Sequence, residues 1–437
     1  MASKKNGHGK EMTKETTKAV FEDFNPFDPR YGGADPYPYY KRMRDECPVF
    51  LAENAHDTTI VATHNLVLEV LRNPTTFSSQ FSLPTSLEDS PVNREINRIM
   101  ENGWERVSTL LTSDPPDHTR NRKLVSKAFT PKAISDLEPF LRSITNQLLD
   151  DIIEKRKIEL VKDFAMPLPV LSIAAALGVP DAKIVDFRRW TEACVDQGSM
   201  LRSNERRIQA THEIVEMQHF FAKELQSRLE KPLDDILTGL VQASLQNDEI
   251  EKGETHPLTM PEMLSIIQQL LVAGNETTTK LITEMILLLA RDQNEWQKLH
   301  SHPERIPLIV EESLRLLSPT QGMYRMATCP STVGKAKIEQ GSRVLVSYAS
   351  ANRDERLFPK PDQFNPDRAN LREHLAFGKG THYCIGAALA RLEATVALSE
   401  FSKRISTISL ASDNEFDYSK NPLLRGLSHL YLEITPR

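Results

Sequence analysis

The chain has 437 residues, room for about three average domains and ample for a large buried core. Hydrophobic residues make up 39% and charged residues 26%, with Gly 17 and Pro 27, which excludes a disordered, collagen-like or low-complexity chain. Lys and Arg number 54 against 60 Asp and Glu, and the net charge of −6 excludes a globally basic surface for nucleic acid or anionic lipid.

In chain order, residues 1–20 read as a flexible basic tail, with no apolar stretch of the kind found in a secretory signal or membrane anchor. Alternating apolar and polar residues predict strands within Val49 to Thr63. Apolar residues at helical spacing predict helices over Leu137 to Ile153, Glu205 to Leu229, Met260 to Leu299 and Ile306 to Leu317. Strand patterning returns at Thr332 to Tyr348 and Leu427 to Ile434. The longest apolar runs, Val170 to Val179 and Met285 to Ala290, are far shorter than the ~20 residues that cross a bilayer. No linker, charge block or repeat interrupts the chain from Phe21 onward, so one domain over residues 21–437 is expected, mainly α with a minor β portion. Cys47, Cys194, Cys329 and Cys384 contain no C-x-x-C pair, which fits neither a disulfide framework nor a structural zinc site and suits a reducing cytoplasm.

Two segments carry chemistry. His374 to Glu393 reads HLAFGKGTHYCIGAALARLE, a glycine-marked loop followed by Cys384 and an Ala/Leu-rich helix. A thiol at a helix start is expected to ionise more readily than a free one and to suit a soft metal, although a lone cysteine taken without its surroundings is more often a small buried residue. The second segment lies in the long helix between Pro261 and Ala290. Its middle, Ala273-Gly274-Asn275-Glu276-Thr277-Thr278-Thr279, replaces good helix formers with poor ones, and back-bonding threonines beside a glycine predict a kink there. An exposed polar bend is the alternative reading.

The first segment resembles the haem-binding motif of cytochrome P-450 enzymes, F-G-x-G-x-x-x-C-x-G, through Phe377, Gly378, Gly380, Cys384 and Gly386. The second resembles that family's A/G-G-x-D/E-T through Ala273, Gly274, Glu276 and Thr277. The resemblance runs from Asn25-Pro26-Phe27-Asp28-Pro29 to the C-terminal strands, and implies a triangular, mainly helical cytochrome P-450 fold with small sheets and haem b as cofactor. It makes Cys384 the axial ligand of the haem iron, with Ala273, Phe377, Gly378 and Gly386 beside the cofactor. Thr277 would hold oxygen and water, and Glu276 would feed protons. His118 and Arg122 of Asp114-Pro115-Pro116-Asp117-His118-Thr119-Arg120-Asn121-Arg122, together with Arg325 and His382, match the family's contacts to the haem propionates. Glu312 and Arg315 match its Glu-x-x-Arg pair, with Arg368 as the third, structural member.

By the same resemblance the substrate is a lipophilic small molecule. Leu271, Val272, Thr320, Gln321, Met323 and Leu424 would line its pocket, and other pocket segments fall in Phe81 to Leu111 and Cys194 to Glu213. No flavin or iron–sulfur motif is present in the sequence, so two electrons for O2 are expected from NAD(P)H through an external ferredoxin reductase and ferredoxin. Lys123, Lys127, Lys379 and Arg391 would offer the ferredoxin a local positive face. A cytoplasmic monomer without membrane or nucleic-acid partners is expected. Alternatives are an H2O2-dependent peroxygenase, against which the acid–alcohol pair argues, and a non-catalytic haem sensor.

Overall fold

The computed structural model describes residues 35–437 apart from residues 56, 81–89, 127–128, 198–201, 246–256, 420 and 422. The tail, the Asn25 to Pro29 motif, the start of the Phe81 to Leu111 segment, residues 198–201 of Cys194 to Glu213, and Lys127 lie outside the described residues.

Helices α1 (Asp117–Ser126), α2 (Glu138–Ile153), α3 (Pro167–Ala176), α4 (Ile184–Gln197), α5 (Asn204–Glu230), α6 (Met260–Arg291), α7 (Gln293–Ser301), α8 (Ile306–Leu317) and α9 (Ala387–Arg404) form the frame around the site. α6 packs against α3, α8 and α9, so the longest of these helices runs through the middle of the molecule. It starts at a capping box: the Thr259 hydroxyl accepts from the Glu262 N–H, and the Glu262 carboxylate accepts from the Thr259 N–H at 2.7 Å. The same carboxylate takes Arg120 Nη1 at 2.7 Å, which ties α6 to α1.

The single helix expected over Met260 to Leu299 is two helices. Asp292 leaves helical geometry, with φ −116 and ψ 84, and its carboxylate accepts from the Glu295 N–H at 3.0 Å as the cap of α7. The apolar spacing continues past this residue through the buried Trp296 and Leu299, which is why periodicity hides the break. α6 is helical without a break from Met260 to Arg291, and the expected back-bonds are present: Thr277 Oγ1 donates to the Ala273 carbonyl at 2.7 Å and Thr279 Oγ1 to that of Asn275 at 2.8 Å.

The larger sheet has the order β1-β2-β8-β5-β3, built from β1 (Val49–Ala52), β2 (Thr58–Val61), β3 (Phe77–Ser78), β5 (Gly322–Ala327) and β8 (Arg343–Ser347). β2 and β8 run parallel and the other neighbours antiparallel. A second sheet places β10 (Tyr431–Pro436) between β4 (Lys157–Glu159) and β9 (Ile405–Leu410), and β6 (Ser331–Val333) pairs with β7 (Ala336–Ile338). β5 lies outside the predicted strands. It begins at Gly322, where a Cβ would stand 2.5 Å from the Val346 carbonyl oxygen, so glycine is what permits β5 and β8 to approach.

Two apolar cores flank the middle of α6. Met263 to Leu271 pack with α3, α4 and α5, whereas Leu281 to Ala290 pack with α2, α8 and α9. Glu393 on α9 is buried in this region, beside the hydroxyls of Ser172 and Thr278. Burial pushes its carboxyl up to about 8, against the opposing pull of those hydroxyls. A carboxyl that stays protonated in the fold but ionises when unfolded gives stability that is full below about pH 4.3 and is lost as pH rises through about 8. Glu393→Gln is therefore expected to flatten the fall in urea midpoint over that window and to raise stability most at its alkaline end. An unchanged slope would refute this reading of the site.

Candidate haem-thiolate site

The loop before α9 is shaped by two glycines with positive φ, Gly378 at 67° and Gly380 at 74°. A Cβ on Gly380 would approach the Leu71 carbonyl oxygen to 2.8 Å, so the loop seats against the preceding layer only with glycine there. The Cys384 N–H donates to the Phe377 carbonyl at 2.9 Å, closing the loop. α9 starts at Ala387 with Gly386 as its cap, so the cysteine stands in the turn before the helix rather than at its first position.

Cys384 lines a cavity of about 280 Å³ between α1 and the start of α9, together with Arg122, Phe129, Tyr383 and Arg391. The thiol is accessible from the cavity. The expectation of easy ionisation is corrected here. Burial pushes the thiol up, and this outweighs the Gly386 N–H aimed at the sulfur and the charges of Arg122 and Arg391. Thiolate character therefore depends on a bound cation, which is how a coordinating thiol is normally deprotonated. Among the described residues no group of three or more His, Cys, Asp or Glu could hold a metal ion. A lone cysteine fits a metal whose remaining ligands come from a macrocycle.

The four residues expected at the propionates are brought together. The His118 and His382 rings lie 4.1 Å apart, and His382 Nε2 meets Ser79 Oγ at 2.9 Å. Burial, and then the charges of Arg325 and His118, push His382 down to about 3. His118 is lowered by burial and by Arg122, with Asp114 pulling the other way. Arg122 and the buried Arg325 have no carboxylate partner among the described residues, and Arg325 Nη1 donates to the Tyr324 carbonyl at 2.6 Å. His118 Nδ1 is buried without a partner. A group of basic side chains, with His118 and Arg325 buried and Arg122 and His382 half-buried, in which neither arginine has a carboxylate partner among the described residues, is a cradle for a dicarboxylate, and the haem propionates fit it. Ser79 was not singled out in the sequence, and Asp114 entered only as the first residue of its motif. Asp114 Oδ1 accepts from the Ser79 N–H at 2.8 Å and so fixes the hydroxyl that meets His382.

On α6, Ala273 is exposed although it lies at the centre of a buried helix, and a Cβ on Gly274 would meet nothing within 4 Å. The helix thus presents open space beside its backbone at the segment that carries Glu276 and Thr277. Glu276 Oε1 accepts from Lys280 Nζ at 2.9 Å, a partner that sequence reading missed and that the four-residue spacing could have signalled.

The structural triad is complete. Arg315 reaches Glu312 through two bonds of 2.7 and 2.8 Å, Arg368 Nε donates to Glu312 Oε1 at 3.0 Å, and the Asn365 N–H joins it at 2.9 Å. Glu312 and Arg315 are fully buried.

Three expectations need correction. Leu271 points into the α3–α5 core and is fully buried, and Gln321 spends its amide nitrogen on the carbonyls of Leu317 and Ser318, so neither is placed to line a pocket. Arg391 is bound to Glu311, which His374 also contacts at 2.9 Å, and its guanidinium covers Phe377 at 4.5 Å, so its charge is committed inside the fold. Burial pushes the Glu311 carboxyl up, but His374 and Arg391 outweigh it and pull it to about 2. Val272, Met323, Thr320 and Leu424 are half-buried, and a β-bridge joins Thr320 to Leu424.

A lone accessible thiol next to a cradle for two carboxylates defines a protein class that holds an iron macrocycle through sulfur. Comparison makes the class specific. The family model described as cytochrome P450 matches residues 191–408. The chain is 34% identical over 405 residues to Cytochrome P450 109 of Bacillus spizizenii, covering 92% of each protein. The structure of CYP109Q5 from Chondromyces apiculatus superposes with a TM-score of 0.81 at 31% identity, over 95% of this chain and 98% of that one. CYP109E1 from Bacillus megaterium in complex with corticosterone superposes with a TM-score of 0.78 at 32% identity, over 91% of this chain and 98% of that one. The chain belongs to the cytochrome P450 family. It is a haem-thiolate monooxygenase, and its fold is the mainly helical P450 fold with small sheets. No helix among the described residues is long and apolar enough to cross a membrane.

Proposed function

We propose that this P450 inserts one oxygen atom from O2 into a lipophilic small molecule, by hydroxylation or epoxidation, with two electrons from NAD(P)H relayed by an external ferredoxin reductase and ferredoxin. It acts as a cytoplasmic monomer whose residues 21–437 form one haem domain. Haem b, bound through Cys384, supplies the iron at which O2 is reduced. His118, Arg122, Arg325 and His382 hold its propionates, while Ala273, Phe377, Gly378 and Gly386 lie against it. Glu312, Arg315 and Arg368 keep the region behind the loop rigid.

The observation that carries this reading is the acid–alcohol pair Glu276–Thr277 beside the exposed Ala273 of a helix that is otherwise mostly buried. Splitting O2 consumes two protons, and a site closed to bulk water needs side chains that deliver them. Thr277 positions water and Glu276 supplies the protons. A peroxygenase receives its oxygen already reduced and has no need of the pair. Val272, Met323 and Leu424, with Thr320 as a polar anchor, give the substrate side an apolar lining. The relative from Bacillus megaterium crystallised with corticosterone supports a lipophilic substrate of that kind. The exposed Lys123 and Lys379 suit an acidic redox protein.

The test is a reconstitution with NADPH, a surrogate ferredoxin and its reductase, using substrates chosen by spin-shift titration. Product should form in step with NADPH consumption. Product from H2O2 alone, or spectral binding without product, would favour the peroxygenase or the sensor. Thr277→Ala is expected to keep consuming oxygen while most of it appears as H2O2, and tight coupling in that variant would remove Thr277 from proton delivery.

A further inference from the structure

Glu311 precedes the buried Glu312 of the structural triad on α8 but serves a different set of partners. Its carboxylate takes Arg391 of α9 through two bonds, Nε to Oε1 and Nη2 to Oε2 at 3.1 Å, the fork geometry of a guanidinium matched to a carboxylate. The remaining nitrogen, Nη1, donates to the Tyr383 hydroxyl at 3.3 Å, one residue before the cysteine. The guanidinium carbon also lies 4.5 Å from the ring centroid of Phe377, whose carbonyl accepts from the Cys384 N–H. Arg391 therefore grips the cysteine loop at both ends, with every nitrogen of its planar head assigned.

His374 completes the bracing. The Ala376 N–H donates to its Nδ1 at 3.2 Å, so Nε2 carries the proton and donates to Glu311 Oε2 at 2.9 Å. The anion is thus fixed from the loop as well as from α9.

The two charges are unequally placed with respect to the sulfur. Arg391 lines the Cys384 cavity, and Glu311 is not among the side chains that line it. Exposure divides in the same way, 32% for the Arg391 side chain against 12% for that of Glu311. The charges of Arg122 and Arg391 both act on the Cys384 thiol, against the larger effect of burial.

We propose that Arg391 is a positioning residue for the axial sulfur, placing a fixed cation beside it, and that Glu311 offsets that charge. This rests on Cys384 being the ligand of the haem iron. A cation beside a thiolate withholds part of the electron density that the sulfur gives to iron, and favours the iron state of lower charge. Arg391 therefore raises the reduction potential. Glu311 carries the opposite sign and lowers it, more weakly because it stands outside the cavity.

The test is a spectroelectrochemical titration of the substrate-free holoenzyme and its variants, with the absorbance of the reduced carbon monoxide complex recorded for each. At a fixed potential, Arg391→Met should lower the ferrous-to-ferric ratio by about threefold or more, and Glu311→Gln should raise it by a smaller factor. Arg391→Lys keeps the charge but not the fork, and should stay nearer the wild type than Arg391→Met does. A merely structural role predicts a different pattern, because both single variants would loosen the same loop and move the ratio the same way. Shifts of one sign, an unchanged ratio in Arg391→Met, or equal ratios in Arg391→Lys and Arg391→Met would overturn the proposal. If Arg391→Met does not fold, Glu311→Gln decides alone: a rise supports the proposal, and a fall or no change overturns it. Absence of the thiolate-type absorbance in the wild type would remove the ligand assignment and the proposal with it. Its presence with ratios that do not split removes the proposal alone.

Discussion

Cys384→His is expected to lose the thiolate-type absorbance of the reduced carbon monoxide complex and to lower monooxygenase turnover on the order of 10³-fold or more, as for a member of a catalytic unit that works together. The geometry explains why no neighbour can substitute. The sulfur is held by a loop closed through the Phe377 carbonyl, and among the described residues no group of three or more His, Cys, Asp or Glu is clustered to hold a metal ion. A neutral imidazole could still bind iron, so haem content should fall less than activity. It would lack the electron push that a thiolate gives to O–O cleavage. Retention of the thiolate-type spectrum in this variant would mean that the ligand assignment is wrong.

Glu312→Gln is expected to destabilise the protein by about 3–5 kcal/mol, the scale for removing one partner of a buried ion pair. The variant keeps the shape of the side chain but leaves Arg315 and Arg368 without their shared anion. Arg315 also donates to the Asn352 carbonyl at 2.8 Å and lies 5.3 Å from the Phe358 ring, contacts that cannot neutralise a buried charge. Because the triad joins α8 to the segment that leads into the cysteine loop, haem retention should fall together with the urea midpoint. A midpoint within about 0.5 kcal/mol of the wild type would mean that the pair contributes no more than an ordinary surface pair.

How far the sequence foretold these features depends on the range of the interaction involved. α8 was readable to the residue: its apolar stripe is complete, Pro307 sits near its start, and the chain turns at Ser318 into the left-handed region at φ 44. The cysteine loop was readable because its glycines and sulfur form one continuous motif. The division at Asp292 was not, because both helices keep the same apolar spacing. Arg391 was misjudged for a different reason. Its partner Glu311 is 80 residues away, and only the packing of α8 on α9 brings the two together. Gln321 was assigned to a pocket by the family resemblance, whereas its orientation is set by the carbonyls of the turn that ends α8. The Lys280–Glu276 pair lies outside the acid–alcohol motif, although its four-residue spacing is visible in the sequence.

The two cores on either side of the middle of α6 also bear on how this chain could acquire new chemistry. Each half of the helix is anchored in its own apolar cluster, and residues 273–277 belong to neither. Exchanging Ala273 or Gly274 for another small residue removes almost no packed surface, so the fold barely opposes it. Changes a few residues further along meet Lys280, whose stem runs against Gly426, and the buried Glu284, where the fold resists. The freedom to vary reactivity and the obligation to remain folded are thus separated along one helix, within about three turns of each other.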